Sequence, residues 1–381
     1  MADAVTTSGS PDGVRLIDAG RTSPLRAQAL YHGIADAMAP GDAPVMVLAE
    51  PDAPFVSVGA HQDVSREVDI QACARSNMAV IRRATGGPAL TLSPNTMMVH
   101  FVLPRGRPEA GGSAVVLYGR FTEPLVRAWQ AFGVPVERCA WGGIELARYR
   151  IGGVQAGVVG KAVVVGGSLV TDFDADTVVR QASLPSDQIR AQLRDLIRER
   201  LAQAGRPVDR AAVRTALMAG VGDTLGWTLQ DSTLREDEQA AIERRETQMA
   251  QMRHIFAGGQ RMANAGMRAT GGLKLVDLVR RSAGGLVRLR LLERDGVIED
   301  IEITGELTSL PADGLDKLAA GLVGLRRDAP DLAVRIHDRM GRFGLELPGI
   351  TAAEIALALK PVTVPAGRHP LDVLFGTNPT S

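Results

Sequence analysis

Charge cancels in this chain: across 381 residues, 43 lysines and arginines stand against 43 aspartates and glutamates, so no net field draws it to a nucleic acid or an anionic membrane. The length allows two domains, and 45% apolar residues is ordinary for a globular protein. No apolar run reaches the roughly eighteen residues of a membrane span.

Cys73 and Cys139 lie far apart and make neither a metal-ligand spacing nor a disulfide framework. The six histidines form no HxH or HxxxH pair, so a histidine metal site is not expected. A reducing, cytoplasmic setting is the default expectation. Residues 1–13 are small and polar, carry Asp3 and Asp12, and lack the basic and apolar regions of a secretory signal. They read as a disordered lead-in.

In chain order, Leu25, Leu30, Ile34 and Met38 recur at helical spacing over 24–39, and Pro40-Gly41 ends the run. The runs 44–48 and 55–58 read as strands, and 67–76 as a helix with Cys73 in its core face. The strand 79–81 leads into Arg82-Arg83-Ala84-Thr85-Gly86-Gly87-Pro88-Ala89. Adjacent glycines let a backbone approach a ligand closely, and successive N–H groups in such a turn can cradle an anion. Two fork-shaped guanidinium groups beside it suit a carboxylate or phosphate. The plainer alternative is a tight turn flanked by solvated arginines. A strand over 97–103 carries His100, which reads as structural.

A helix is expected over 115–132, with Pro124 giving a kink or a late start. The stretch 151–170 reads as a glycine-rich strand pair, followed by Asp172-Phe173-Asp174. Helices are expected over 186–204, 208–225 and 235–256. Then 286–291 alternates apolar and charged residues, Asp295-Gly296 reads as a hairpin turn, and 297–303 as the partner strand. Helices over 315–322, 328–340 and 351–359 complete the pattern.

Several of these segments fall in a recognisable order. Gly59-x-x-Gln62 is followed by the Arg82–Gly87 motif, then Arg150-Ile151-Gly152-Gly153, Gly167-Ser168-Leu169 and Asp172-Phe173-Asp174. This order resembles the lipoate–protein ligase and octanoyltransferase family, which shares its catalytic fold with biotin–protein ligases. The stretch 285–324 is similar to the accessory domain of lipoate–protein ligases. The resemblance spans residues 14–361. It implies an α+β fold: a mixed β-sheet catalytic domain of the biotin/lipoate protein ligase type with flanking helices, plus a small α+β C-terminal domain. The boundaries expected are a lead-in over 1–13, a catalytic domain over 14–256 (mainly helical from 186), a linker over 257–284, an accessory domain over 285–362 and a tail over 363–381.

The resemblance implies transfer of a lipoyl or octanoyl group to a lysine of a lipoyl carrier domain. Such carriers are 2-oxoacid dehydrogenase acyltransferase subunits, the glycine cleavage H protein or a dedicated lipoyl-like carrier. The ligase route passes through an acyl-adenylate and takes lipoate or octanoate with ATP and Mg²⁺. One octanoyltransferase branch instead uses no ATP and carries octanoate on a cysteine. A paralogue that binds an acyl group or nucleotide without chemistry is a further alternative.

Departures from the family bear on the chemistry. Pro88 stands where a third glycine is usual and removes one N–H donor. Leu92 stands near a usual polar position. The His-Gly-Ser-Leu pattern reads Gly166-Gly167-Ser168-Leu169. Where the family has a catalytic lysine, an ungapped reading gives Arg150 and a gapped one Val154. Lys161 is a candidate to replace that lysine in space.

The candidate catalytic residues are therefore Arg150, Lys161 and Cys139. Cys139 is either a nucleophile activated by Arg138 or an inert thiol. The candidate substrate-binding residues are Gln62, Arg82, Arg83, Thr85, Gly86, Gly87, Ala89, Gly153 and Ser168. His61 is a ligand contact or merely solvated. Asp172 and Asp174 are either weak Mg²⁺ candidates or turn and cap residues.

Overall fold

The computed structural model describes residues 13–147, 149–170, 174–184, 186–201, 209–259 and 272–360. The expected lead-in, apart from Gly13, and the expected tail lie outside the described residues, as does Asp172.

The chain opens with β1 (Val14–Thr22) and α1 (Pro24–Ala37), whose first turn has Pro24 at its start and Ser23 Oγ accepting the Arg26 N–H. Then come β2 (Val45–Pro51), β3 (Phe55–Val58), α2 (Val64–Glu67), α3 (Ile70–Arg75), β4 (Ala79–Arg82), β5 (Leu90–Leu92) and β6 (Thr96–Pro104). The helix expected over 67–76 is broken instead. Val68 turns extended, and the Asp69 carboxylate starts α3 afresh by accepting the Ala72 N–H. Helix α4 (Ala114–Ala131) runs through Pro124 without a late start. At Pro124 the helix is crossed by α7, where Gly220 allows a close approach to the Pro124 carbonyl.

The second half holds β7 (Glu137–Arg138), β8 (Gly143–Leu146), β9 (Tyr149–Val159), β10 (Ala162–Val170), α5 (Ala175–Arg180), α6 (Asp187–Leu196), α7 (Arg210–Leu225), β11 (Leu229–Asp231), α8 (Glu236–Met249) and α9 (Met252–Ile255). Eight strands form one mixed sheet in the order β11-β1-β2-β6-β10-β9-β8-β7. β1 runs parallel to β2 and β11, and every other pairing is antiparallel. Strands β2 and β6 are buried along their whole length, which explains why they are apolar but for Glu50, Thr96 and His100. One face of the sheet packs on α4 and α7 through Phe101, Phe121 and Trp227. The other packs on α1 and α8 through Tyr31, Ile34 and Ile242. A small sheet, β4-β3-β5, carries the arginine–glycine loop.

The C-terminal part folds on its own core: β12 (Leu273–Ser282), β13 (Gly285–Arg294), β14 (Val297–Gly305), α10 (Gly314–Leu322), α11 (Leu332–Phe343) and α12 (Ala352–Leu359). Much of the expected linker is thus the strand β12, paired with β13 along its full length. The β13–β14 turn has Asp295 at φ 50° and Gly296 at φ 80°, the doubly positive pair that a two-residue hairpin demands. This module docks on the catalytic sheet's loops. Gly305 donates its N–H to His61 O at 2.9 Å, Gly87 donates to Leu307 O at 3.0 Å, and Ala114 donates to the Glu346 carboxylate at 2.9 Å. An Arg288–Glu67 ion pair at 2.9 Å adds to them.

Candidate active site

A cavity of about 450 Å³ opens between the sheet and the docked module, within the range of small-molecule sites. Its floor is β9 and β10, through Gly153, Gln155, Ser168 and Val170. One side is the stretch from Gly87 through Ala89 to Ser93, and another is Tyr118 and Trp141. The module closes over it with Arg281–Gly285, Glu306 and Thr308. Leu90, Leu92, Val178 and Ile197 give an apolar part of the lining, while Arg150 puts a guanidinium into the wall. Such a space suits an apolar chain with an anionic or activated carbonyl head.

The two arginines of the loop do not face this cavity. Arg82 and Arg83 are each 3% exposed. Arg83 donates to Ser57 O at 2.7 Å, to Gly86 O at 2.7 Å and to Pro88 O at 2.7 Å. Arg82 donates to Gly59 O at 2.8 Å, Ala60 O at 3.0 Å and Ile255 O at 2.9 Å. Burial lowers the pKa of each to about 10. The expectation of a twin-cation grip on ligand is therefore corrected. Arg83 binds the loop's own carbonyls and sets its shape, while Arg82 ties the loop to the Gly59–Ala60 turn and to Ile255, destinations fixed only by tertiary folding.

The loop's glycines divide. Gly87 has φ +89°, which favours glycine, and it lines the cavity beside Ala89. Gly86 sits beneath the module, where a Cβ would strike Leu307 O and come within 2.7 Å of Thr308 Cα. Thr85 is buried and bonded to Tyr31. Gln62 is fully buried, its Oε1 accepting the Gly59 N–H at 2.9 Å, and it shapes the turn without reaching the cavity wall. His61 is half-buried, and desolvation, with Arg82 nearby, takes its pKa to about 4.

Arg150, Gly153 and Ser168 do come together on the cavity wall. Lys161 does not join them: it is exposed in the β9–β10 turn, about 25 Å from Gly153 at roughly 3.3 Å per strand residue. It cannot stand in for a catalytic lysine. Asp174 borders the cavity, but its carboxylate caps α5, accepting from the Asp176 and Thr177 backbone and the Thr177 hydroxyl. Among the described residues no group of three or more His, Cys, Asp or Glu side chains could hold a metal.

Cys139 lies beside Arg150. A Cβ on Gly143 would overlap Cys139 Sγ and come within 3.1 Å of Arg150 Nε. Burial pushes the thiol pKa up, and its hydrogen bond to the Glu145 carboxylate pushes it further, against the pull of Arg150. The activating neighbour expected, Arg138, instead pairs with Glu123. His100 fills the space where a Cβ on Gly166 would lie, its cross-strand partner, and burial lowers its pKa to about 3. Sequence reasoning missed Tyr118, Gln155, Glu145 and the module's share of the wall. Trp141, at φ 62°, carried a legible signal in the Trp-Gly-Gly that follows Cys139.

A mixed sheet of this order, floored by a glycine-rich strand pair, has the fold of the lipoate–protein ligases. Residues 23–221 match the lipoyl protein ligase A/B catalytic domain, and the chain belongs to that family. It is similar to octanoyltransferase LipM of Kyrpidia tusciae, 26% identical over 257 residues covering 60% of this chain and 93% of that one. It is also similar to lipoate–protein ligase 1 of Staphylococcus aureus, 26% identical over 149 residues covering 39% and 44%. In fold it matches a bi-partite lipoate protein ligase of Thermoplasma acidophilum with a TM-score of 0.57, at 18% identity over 65% of this chain and 97% of that one. LipL1 of P. falciparum, solved with lipoate, matches with a TM-score of 0.60 at 11% identity over 88% and 96%. Among the described residues no helix is long and apolar enough to cross a membrane.

Proposed function

We propose that the protein transfers an octanoyl or lipoyl group to a lysine of a lipoyl carrier domain, carrying the acyl group on Cys139. The observation that carries this reading is the pairing of the Cys139 thiol with Arg150, the cation that opens into the cavity. The apolar lining takes the acyl chain. Arg150 holds its place beside the carbonyl end, where a fixed charge stabilises a developing negative charge. The similarity to LipM over nearly the whole of that relative supports the route without ATP.

The second reading is ligation through an acyl-adenylate. The C-terminal module that roofs the cavity and the likeness to lipoate–protein ligase 1 favour it. In that case ATP supplies the activation, and Arg150 and Arg281 are the wall cations nearest to serve its phosphates.

Two mixtures separate the routes: apo carrier domain with octanoyl acyl carrier protein, and apo carrier domain with lipoate, ATP and Mg²⁺. Carrier acylation is followed by intact mass. Product in the first mixture that vanishes in Cys139→Ala supports the thioester route. Product only in the second, indifferent to Cys139→Ala, replaces it with the ligase route. No product in either, with octanoate bound, replaces both with a non-catalytic binding protein.

A further inference from the structure

We infer that Glu145 is the proton acceptor for Cys139, an inference that rests on the thioester route above. The ribbon β7-β8-β9 sets the geometry. Glu137 pairs with Glu145, and Glu145 pairs with Arg150, so three charged side chains form one row across the strands. Cys139 lies two residues beyond Glu137, on the same face, and its N–H donates to Gly143 O at 3.0 Å. Gly143 pairs in turn with Gly153. The row that holds the cysteine is therefore bare at its next two positions.

That bareness is used. The Cys139 thiol and the Arg150 guanidinium lie together over Gly143, and Arg150 Nη2 would come within 3.0 Å of a Cβ on Gly153. The thiol hydrogen-bonds to the Glu145 carboxylate. A nucleophile, an anionic acceptor and a fixed cation thus share one patch, of which Arg150 lines the cavity while Cys139 and Glu145 lie behind it. Arginine cannot take a proton at neutral pH, and none of the described histidines lines the cavity. Among the described residues the Glu145 carboxylate is the group placed on the sulfur's proton.

The step balances. The Sγ proton passes to Glu145 as the thiolate attacks the carbonyl carbon of an acyl thioester. The new S–C bond forms at Cys139, the donor's S–C bond breaks, and the departing thiolate leaves with the proton from Glu145. In the second half a carrier lysine amine attacks the same carbon. The N–C bond forms, the Cys139 S–C bond breaks, and the proton lost by the amine returns through Glu145 to Sγ. Glu137, Cys139 and Arg150 are the titratable and charged groups that face Glu145 from its own ribbon.

The test uses the full chain and two readouts on Cys139: acyl-adduct formation from octanoyl acyl carrier protein by intact mass, and iodoacetamide alkylation across pH. Removing the neighbouring anion in Glu145→Gln makes the thiol easier to ionise, so alkylation at neutral pH speeds up. Adduct formation slows about 100-fold with loss of the base, and Glu145→Asp recovers part of it. Acylation of Glu145→Gln at the parental rate, with Cys139→Ala inert, overturns the role of Glu145 and leaves the thioester route standing. Slowing of both readouts together marks a structural role and also overturns it. Carrier acylation that survives in Cys139→Ala overturns the route itself.

Discussion

Leu307 O accepts the backbone N–H of Gly87 at 3.0 Å. The glycine turn, whose amides would otherwise be free to meet a ligand, is thereby tied to the C-terminal module. The same contact brings Thr308 and Glu306 to the cavity wall, so the module is part of the site's enclosure. Gly86→Ala places a methyl group against Leu307 O and Thr308. Hydrogen exchange is expected to speed up at Gly87 and Gly305, the two amides that cross between loop and module. The β13–β14 ladder stays protected, because the module keeps its own core.

Arg83 and Arg150 are expected to separate stability from chemistry. Arg83→Met leaves the carbonyls of Ser57, Gly86 and Pro88 without their buried donor, at about 1–3 kcal/mol each. Relief of an arginine whose pKa burial has lowered to about 10 returns part of that. The net expectation is a loss of about 3 kcal/mol in urea unfolding. Arg150 is exposed, so Arg150→Ala changes stability by less than about 0.5 kcal/mol while carrier acylation falls at least tenfold. Lys161→Ala leaves both unchanged.

Acid sensitivity follows from two desolvated histidines. His61 and His100 have folded pKa values of about 4 and about 3, both lowered first by desolvation. The unfolded chain binds protons near pH 6.5, so below that pH it holds more protons than the folded chain. Their neutral burial contributes stability that is fully present above about pH 6.5 and lost as the pH falls toward 4 and then 3. Urea midpoints are expected to drop between pH 7 and pH 4.5. His100→Gln, which removes one of these groups, flattens the slope.

Much of the fold was legible because its strands are locally decisive. The apolar runs of β2 and β6, the Asp295-Gly296 turn and the helix start at Pro24 each announce themselves within a few residues. Gly87, Gly153 and Ser168 all line the cavity, and at Gly87 a positive φ favours the glycine. The site was misread where a side chain's destination depends on distant chain. Nothing local tells that Arg83 turns back on Pro88 O, that Glu145 and not Arg138 meets Cys139, or that Leu273–Ser282 is a strand. Lys161 carried the right charge on the right hairpin, at the wrong end of it.

The central claim is that the Arg150 wall receives the head of an acyl chain lodged in the cavity. Calorimetric titration of the full chain and of Arg150→Ala with octanoate tests it most directly. The account predicts one octanoate per chain, with affinity falling at least tenfold in Arg150→Ala. Equal affinity in the two proteins, or no binding to either, would contradict it.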